Sequence, residues 1–265
     1  MAAATEDPVL SVVICHHRGD LIARCLESLQ KSVGISYETI VVTSDLKYDD
    51  WLEDKLVYEE GGPAHKRNVG TRQAKGQYLV FLDDDTEVSP YTLYNFWRGF
   101  QELPRAGMLF ARIYNMERRS ELDDCGSWLT PTGFLYARAS EHGLAHDVVM
   151  QPVRCLASKS AGCAIRKEVF YDVGRFDASY FILGEETDLA WRVWLRGHEV
   201  WYWPDACLWH AFNTARKPTA DFYSLTRVHT YGCRNYLRLL CTNLGTARLV
   251  PLLPLHLLGW GLAGL

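Results

Sequence analysis

Tyr78-Leu79-Val80-Phe81-Leu82-Asp83-Asp84-Asp85-Thr86 is the stretch on which the reading of this 265-residue chain turns. A short apolar run rich in β-forming residues ends in three consecutive acids, the pattern of a buried strand that delivers carboxylates to its C-terminal edge. Adjacent like charges repel, so they cost stability at a strand end unless a cation sits among them. Side chains alternate along an extended chain, so Asp83 and Asp85 point one way and Asp84 the other. Oxygen ligands of this kind suit Mg2+ or Mn2+. A solvated acidic turn after a strand is the alternative these residues leave open.

Upstream, Val9 to Cys15 is a continuous apolar run of the kind buried on both faces of a parallel sheet. A helix follows, with Asp20 as N-cap and Leu21, Ile22, Cys25, Leu26 and Leu29 on one apolar face. A second strand spans Glu38 to Thr43, so the chain opens as β-α-β. Ligands in such sheets sit beyond the strand C-termini, which sets His16, His17, Arg18, Thr43 and Asp45 along a crevice. A weak third strand is predicted around Leu56 to Glu59. Gly61-Gly62-Pro63-Ala64-His65-Lys66-Arg67-Asn68-Val69-Gly70 then leads into a helix ending near Gly76. Lys66, Arg67 and Asn68 in its first turns, with free N–H groups, make a natural holder for a diphosphate; a solvated basic turn is the alternative.

Downstream, Ser89-Pro90 predicts an N-cap and first helical position, with Leu93, Phe96, Trp97 and Phe100 as the packing stripe. A strand returns over Gly107 to Tyr114, and Asn115 to Ser158, which includes Asp123-Asp124, shows little periodicity. Lys159 to Arg166 is rich in small residues, including Gly162, as where a backbone passes close to a ligand. Glu185-Glu186 opens a further helix, where acids are favourable on the helix dipole. Glu199 to Trp203 reads as a strand broken by Pro204, and His210 follows a second apolar run. Trp128, Trp191 and Trp194 are either stacking platforms for sugars or core.

A formal net charge of -4 excludes a general polyanion binder, and no nucleic-acid partner is expected. The eight cysteines form no Cys-x-x-Cys pair and read as reduced, buried thiols of a cytosolic protein. Met1 to Pro8 lacks an apolar core, so no secretory signal is expected. After Asp221 the chain carries neither acid nor lysine. Arg227, Arg234 and Arg238 share one side of a helix predicted over Asp221 to Leu240, and Leu249 to Leu265 carries no formal charge. Such a basic amphipathic helix suggests seating on an anionic membrane surface. A helix packed on the main domain with its arginines in water is the alternative.

The order of these elements, with Arg67-Asn68-x-Gly70, Ala74-x-Gly76, Phe81 to Asp85, Gly174-x-Phe176-Asp177, Glu185-Glu186-x-Asp188-Leu189-x-x-Arg192, Pro204 and His210, resembles the family 2 inverting glycosyltransferases of GT-A fold. The flavour, including Arg234-Asn235, is similar to prokaryotic rhamnosyl-, galactofuranosyl- and mannosyltransferases of cell-surface glycan assembly. The resemblance implies an α/β protein with a mixed, mostly parallel central sheet flanked by helices. Residues 1–215 would form the catalytic domain and 216–265 a C-terminal helical, membrane-associating segment. Asp83 and Asp85 match the Asp-x-Asp motif that holds Mn2+ or Mg2+, and His210 a histidine that completes the metal shell. Glu186 falls where the family places its catalytic base, usually as Asp, and Thr43 stands in the usual place of a base-reading aspartate, for which Asp45 can substitute.

By the same resemblance, donor contacts are expected from His16, Arg18, Thr43, Asp45, Lys66, Arg67, Asn68, Asp83, Asp84 and Gly162, and acceptor contacts from Glu185, Asp188 and Trp191. The implied donor is a UDP-, dTDP- or GDP-linked sugar, and the implied acceptor a lipid-linked or oligosaccharide hydroxyl at the cytoplasmic side of a membrane. The rival enzyme is a sugar nucleotidyltransferase, which normally carries a Gly-rich basic loop after its first strand where this chain has Cys15-His16-His17-Arg18. The rival non-enzyme is a glycan-binding protein on the same fold.

Overall fold

The computed structural model describes residues 7–17, 21–45, 55–138, 149–211 and 225–263. Its strands are β1 (Leu10–His16), β2 (Tyr37–Thr43), β3 (Lys55–Tyr58), β4 (Tyr78–Asp83), β5 (Thr86–Val88), β6 (Ala106–Asn115), β7 (Leu122–Asp124), β8 (Ser127–Leu129), β9 (Leu135–Ala137), β10 (Val153–Arg154), β11 (Gly162–Arg166) and β12 (Glu199–His210). The helices are α1 (Leu21–Gln30), α2 (Pro63–Thr71), α3 (Thr92–Glu102), α4 (Lys167–Asp172), α5 (Glu185–Leu195), α6 (Leu225–Asn243) and α7 (Thr246–Ala263).

The main sheet runs β10-β12-β6-β11-β4-β1-β2-β3, with β5 paired to β12 and β7 to β6. Strands β3, β2, β1 and β4 are parallel, and β12 is parallel to β6. Strand β11 lies antiparallel between β4 and β6, so the sheet is mixed, as expected. The acidic strand sits at its centre. Leu79 and Phe81 pack under α2, α4 and α5, whereas Val80 and Leu82 pack under α1 and α3. Burial on both faces explains why this run, like that of β1, is continuously apolar rather than alternating.

Four sequence readings need adjustment. Helix α3 begins at Thr92, with the Thr92 N–H bonded to the Ser89 carbonyl and no side-chain cap, so Pro90 precedes the helix. Helix α2 stops at Thr71, and by Gly76 the chain lies so close to β1 that a Cβ there would meet the Leu10 carbonyl carbon at 2.6 Å. Pro204 does not end its strand. The register of β12 against β6 shifts between Trp203 and Cys207, and this bulge absorbs the missing donor while the strand continues to His210.

The fourth adjustment concerns α6. Arg238 Nη2 donates to Asp177 Oδ2 at 2.8 Å, and Arg234 Nη2 reaches the Ser179 and Tyr180 carbonyls at 3.4 Å. Both arginines therefore reach the loop before α5, where a carboxylate and carbonyl ends receive them, while Arg234 stays exposed and Arg238 is 39% exposed. The side chain of Arg227 and the stretch from Asp221 to Ser224 lie outside the described residues. Leu239 and Leu240 pack on Trp191 of α5, and His256 of α7 bonds to the Thr132 carbonyl at 2.8 Å. Among the described residues no helix is long and apolar enough to cross a membrane.

Candidate active site

Strand β4 ends level with Cys15 of β1, and the chain turns at once into β5, which pairs antiparallel with β12 and sets Thr86 opposite His210. The Thr86 hydroxyl donates to the Asp83 carbonyl at 2.8 Å, and the Ala211 N–H to the Asp85 carbonyl at 3.0 Å. These bonds fold the acidic turn over the end of β12. His210 Nε2 consequently lies 3.2 Å from Asp85 Oδ1 and 3.9 Å from Asp83 Oδ2. One ligand atom from each of Asp83, Asp85 and His210 falls within 4.8 Å of the others.

The donor set fits a divalent cation. Burial opposes charge on His210, yet Asp123, Asp85 and Asp83 push its pKa up to about 10. Two carboxylates and one imidazole, gathered with their ligand atoms within 4.8 Å, are a donor set that can hold a divalent cation. Asp84 lies with Asp85 in the turn after β4, and its Oδ2 accepts the His17 N–H at 3.2 Å.

A residue without a sequence signal completes this corner. Asp123 of β7 brings Oδ2 to 3.5 Å from His210 Nδ1, while its Oδ1 accepts from Lys159 Nζ at 2.6 Å. A carboxylate behind a ligating histidine fixes the ring orientation. Burial alone would raise the Asp123 carboxyl, but His210 and Lys159 hold it below the usual carboxylate range.

Arg67 links this corner to the acids of α5. Its Nη2 donates to Asp83 Oδ1 at 2.8 Å and its Nη1 to Glu185 Oε1 at 2.9 Å. Burial works against the guanidinium, but the paired carboxylates of Asp83 and Glu185 hold it firmly charged. Glu186, next along α5, is half-buried, and its carboxyl is raised well above the usual range by burial and by the neighbouring Glu185. Arg67 therefore joins the cation cluster to the first turn of α5, which carries Glu185 and Glu186.

The other predicted contacts are distributed differently. Lys66, Arg67 and Asn68 all have partners within the protein. Lys66 Nζ donates to the His16 carbonyl at 2.8 Å and to Ser44 Oγ at 3.0 Å, and burial lowers its pKa. Asn68 brackets the Phe176 backbone, donating to its carbonyl at 2.8 Å and accepting its N–H at 3.1 Å. His16 and Thr43 are fully buried and joined at 2.8 Å, while half-buried Asp45 donates its N–H to Thr43 Oγ1 at 3.0 Å. Gly162 is required by packing, since a Cβ there would lie 2.3 Å from Leu208 Cδ2. Arg18 lies outside the described residues.

The three acceptor candidates are also buried. Glu185 is held by Arg67. Asp188 Oδ2 accepts two bonds from Arg192, and its Oδ1 accepts from Asn243 at 2.8 Å. Trp191 packs under α6, and the indoles of Trp128 and Trp194 donate to backbone carbonyls at 3.0 Å and 2.9 Å, so the core reading of these tryptophans holds. A helical face turned towards a second helix carries the same periodicity as one turned towards a sugar.

Comparison with known proteins gives the same fold. The chain superposes with TM-score 0.65 on GalNAc-T7 solved with UDP, GalNAc and Mn2+, at 17% identity over 89% of this chain and 48% of that one. It superposes with TM-score 0.60 on the mannosyltransferase PcManGT from Pyrobaculum calidifontis in complex with GDP-Man and Mn2+, at 15% identity over 94% and 69%. Among curated sequences it is 24% identical over 258 residues to the inactive polypeptide N-acetylgalactosaminyltransferase-like protein 5 of Macaca fascicularis, 88% of this chain and 56% of the relative. The chain spans little more than half the length of such relatives. The sequence model described as glycosyl transferase family group 2 matches residues 78–265, the greater part of the chain and all of it from the acidic strand onward, and the protein therefore belongs to that family.

Proposed function

We propose that the chain moves a sugar from a nucleotide-diphosphate donor to an acceptor hydroxyl by single displacement, with inversion, and with Glu186 as the base. The observation that carries this is the bridge from Asp83 through Arg67 to Glu185, which ties the cation cluster to the acid pair of α5. A divalent cation held by Asp83, Asp85 and His210 would supply Lewis-acid neutralisation of the departing diphosphate. The bond formed joins the acceptor oxygen to the anomeric carbon. The bond broken frees the nucleoside diphosphate with its electron pair. The acceptor proton passes to Glu186, whose raised pKa matches a base working nearer neutral pH.

UDP-, dTDP- and GDP-sugars are the donor classes to test, since similar folds are solved with UDP and GDP-Man. Asp45 and Asp84, both part-exposed at the crevice, are the carboxylates available to the donor's nucleoside side. A lipid-linked acceptor at the cytoplasmic face of a membrane is supported by the exposed apolar side chains of Val250, Leu255, Leu257 and Leu258 on α7.

The test is a screen of nucleotide sugars with and without MnCl2, read as nucleoside-diphosphate release, followed by Glu186→Gln on the best donor. Turnover should fall by about 10²–10⁴-fold, the range for loss of a general base, while calorimetric donor binding persists. Undiminished turnover in Glu186→Gln would move the base elsewhere.

A further inference from the structure

Three of the four residues before α5, Phe181, Leu183 and Gly184, have positive φ, a backbone that side-chain-bearing residues rarely adopt. Phe181 has φ 62° and ψ -63°, and the Ile182 N–H donates to the Tyr180 carbonyl at 2.7 Å. Together these make a γ-turn of the strained, positive-φ kind. Leu183 follows at φ 69° and Gly184 at φ 90°. Strained residues of this sort persist only where their surroundings over-determine them.

Asn235 of α6, 2% exposed, supplies that determination. Its Nδ2 lies 2.9 Å from the Tyr180 carbonyl oxygen, 2.7 Å from that of Ile182 and 2.8 Å from that of Leu183. Three mutually repelling carbonyl oxygens thus gather round one amide nitrogen, which carries two hydrogens. Arg234 donates to Asn235 Oδ1 through Nε at 3.1 Å and Nη2 at 3.0 Å, fixing which end of the amide faces the turn. On its other side the turn rests on α2, where a Cβ on Gly62 would come within 2.6 Å of the Phe181 carbonyl oxygen. It therefore touches the helix that carries Arg67 and runs straight into Glu185 and Glu186.

We propose that Asn235 is a positioning residue for the acid pair. By holding the Tyr180, Ile182 and Leu183 carbonyls it keeps the turn in its strained form and sets where α5 begins, and with that how far Glu186 reaches. The inference rests on Glu186 being the proton acceptor. Without the amide, the three carbonyls lose their common donor. A peptide then flips to return Phe181 or Leu183 to negative φ, and the acids shift with it.

The experiment compares wild type, Asn235→Ala, Leu183→Gly, the double variant and Glu186→Gln in nucleoside-diphosphate release from the best UDP-, dTDP- or GDP-sugar at saturating MnCl2. Asn235→Ala should lower kcat by about 10²-fold, the loss that a displacement of roughly 1 Å produces, with calorimetric donor binding unchanged. Leu183→Gly alone should stay near wild type, because Leu183 is 40% exposed and glycine adopts positive φ freely. In the double variant, glycine relieves the strain and kcat should recover substantially.

Wild-type kcat in Asn235→Ala, donor binding lost in proportion to kcat, or no recovery in the double variant would each overturn the proposal. Full turnover in Glu186→Gln would instead sink the reading of the base on which it rests. Should Asn235→Ala be too unstable to purify, Asn235→Asp keeps the shape, removes the donor and carries the same expected loss of kcat with donor binding retained.

Discussion

Replacing Arg67 by methionine tests the bridge on which the proposed function stands. Arg67 is 2% exposed at the side chain and Glu185 5%, whereas Asp83 is 31% exposed, so water screens the Asp83 arm and the Glu185 arm carries most of the effect. Removing one partner of a buried pair costs about 3–5 kcal/mol, because the other charge stays buried and uncompensated. For a chain of this size that is a fall in Tm of roughly 10 °C. A second substitution, Glu185→Met, should return most of the loss, since two apolar side chains of similar volume replace a buried pair nearly neutrally. Thermal and urea unfolding of wild type, Arg67→Met, Glu185→Met and the double variant form the cycle. The reasoning is refuted if Arg67→Met melts with the wild type, or if the double variant is no more stable than Arg67→Met alone.

Asp123→Asn should weaken Mn2+ binding by about 10–100-fold, as expected when the carboxylate behind a ligating histidine is lost; titration of MnCl2 without donor reads this directly, and an unchanged affinity argues against the contact. Glu186 should produce two opposed pH effects. Because its folded carboxyl is raised, turnover should climb as pH rises above the ordinary carboxylate range, whereas the stability present below that range is lost as pH rises through the folded value. Glu186→Gln removes that loss, so its Tm relative to wild type should increase with pH; a flat difference contradicts the assignment. Gly162→Ala should cost about 1–3 kcal/mol through overpacking against Leu208, with donor KM unchanged, and a specific rise in KM would restore the ligand-approach reading.

The parallel half of the sheet was legible because its strands obey a local rule. Strands β1, β2 and β4 are apolar runs of the length a buried strand needs, and each ends in polar residues at one edge of the sheet. Although the turn after Asp83, rather than alternation along a strand, sets Asp85 beside His210, Asp83 and Asp85 were legible as acids at a strand end. His210 was not, because it arrives through the pairing of β5 with β12, and only the family resemblance pointed to it. Asp123 lay in a stretch without periodicity. Its position depends on β7 pairing with β6, which three residues of strand cannot announce.

The partners that the chain itself gives its cations went unread for a shared reason. Lys66 and Arg67 were assigned to a diphosphate, and Arg234 and Arg238 to an anionic membrane surface or water, because solvent or a partner molecule is the default reading of a cation in a sequence. That default fails where the chain itself supplies the counter-charge from far away. Arg67 meets Glu185 across 118 positions, and Arg238 meets Asp177 across 61. Helical periodicity says which residues share a face, but the energy of that face is set by what the fold brings against it. For α6 the fold brings a strained turn against that face, and the arginines that suggested lipid also reach the approach to the proposed catalytic acid.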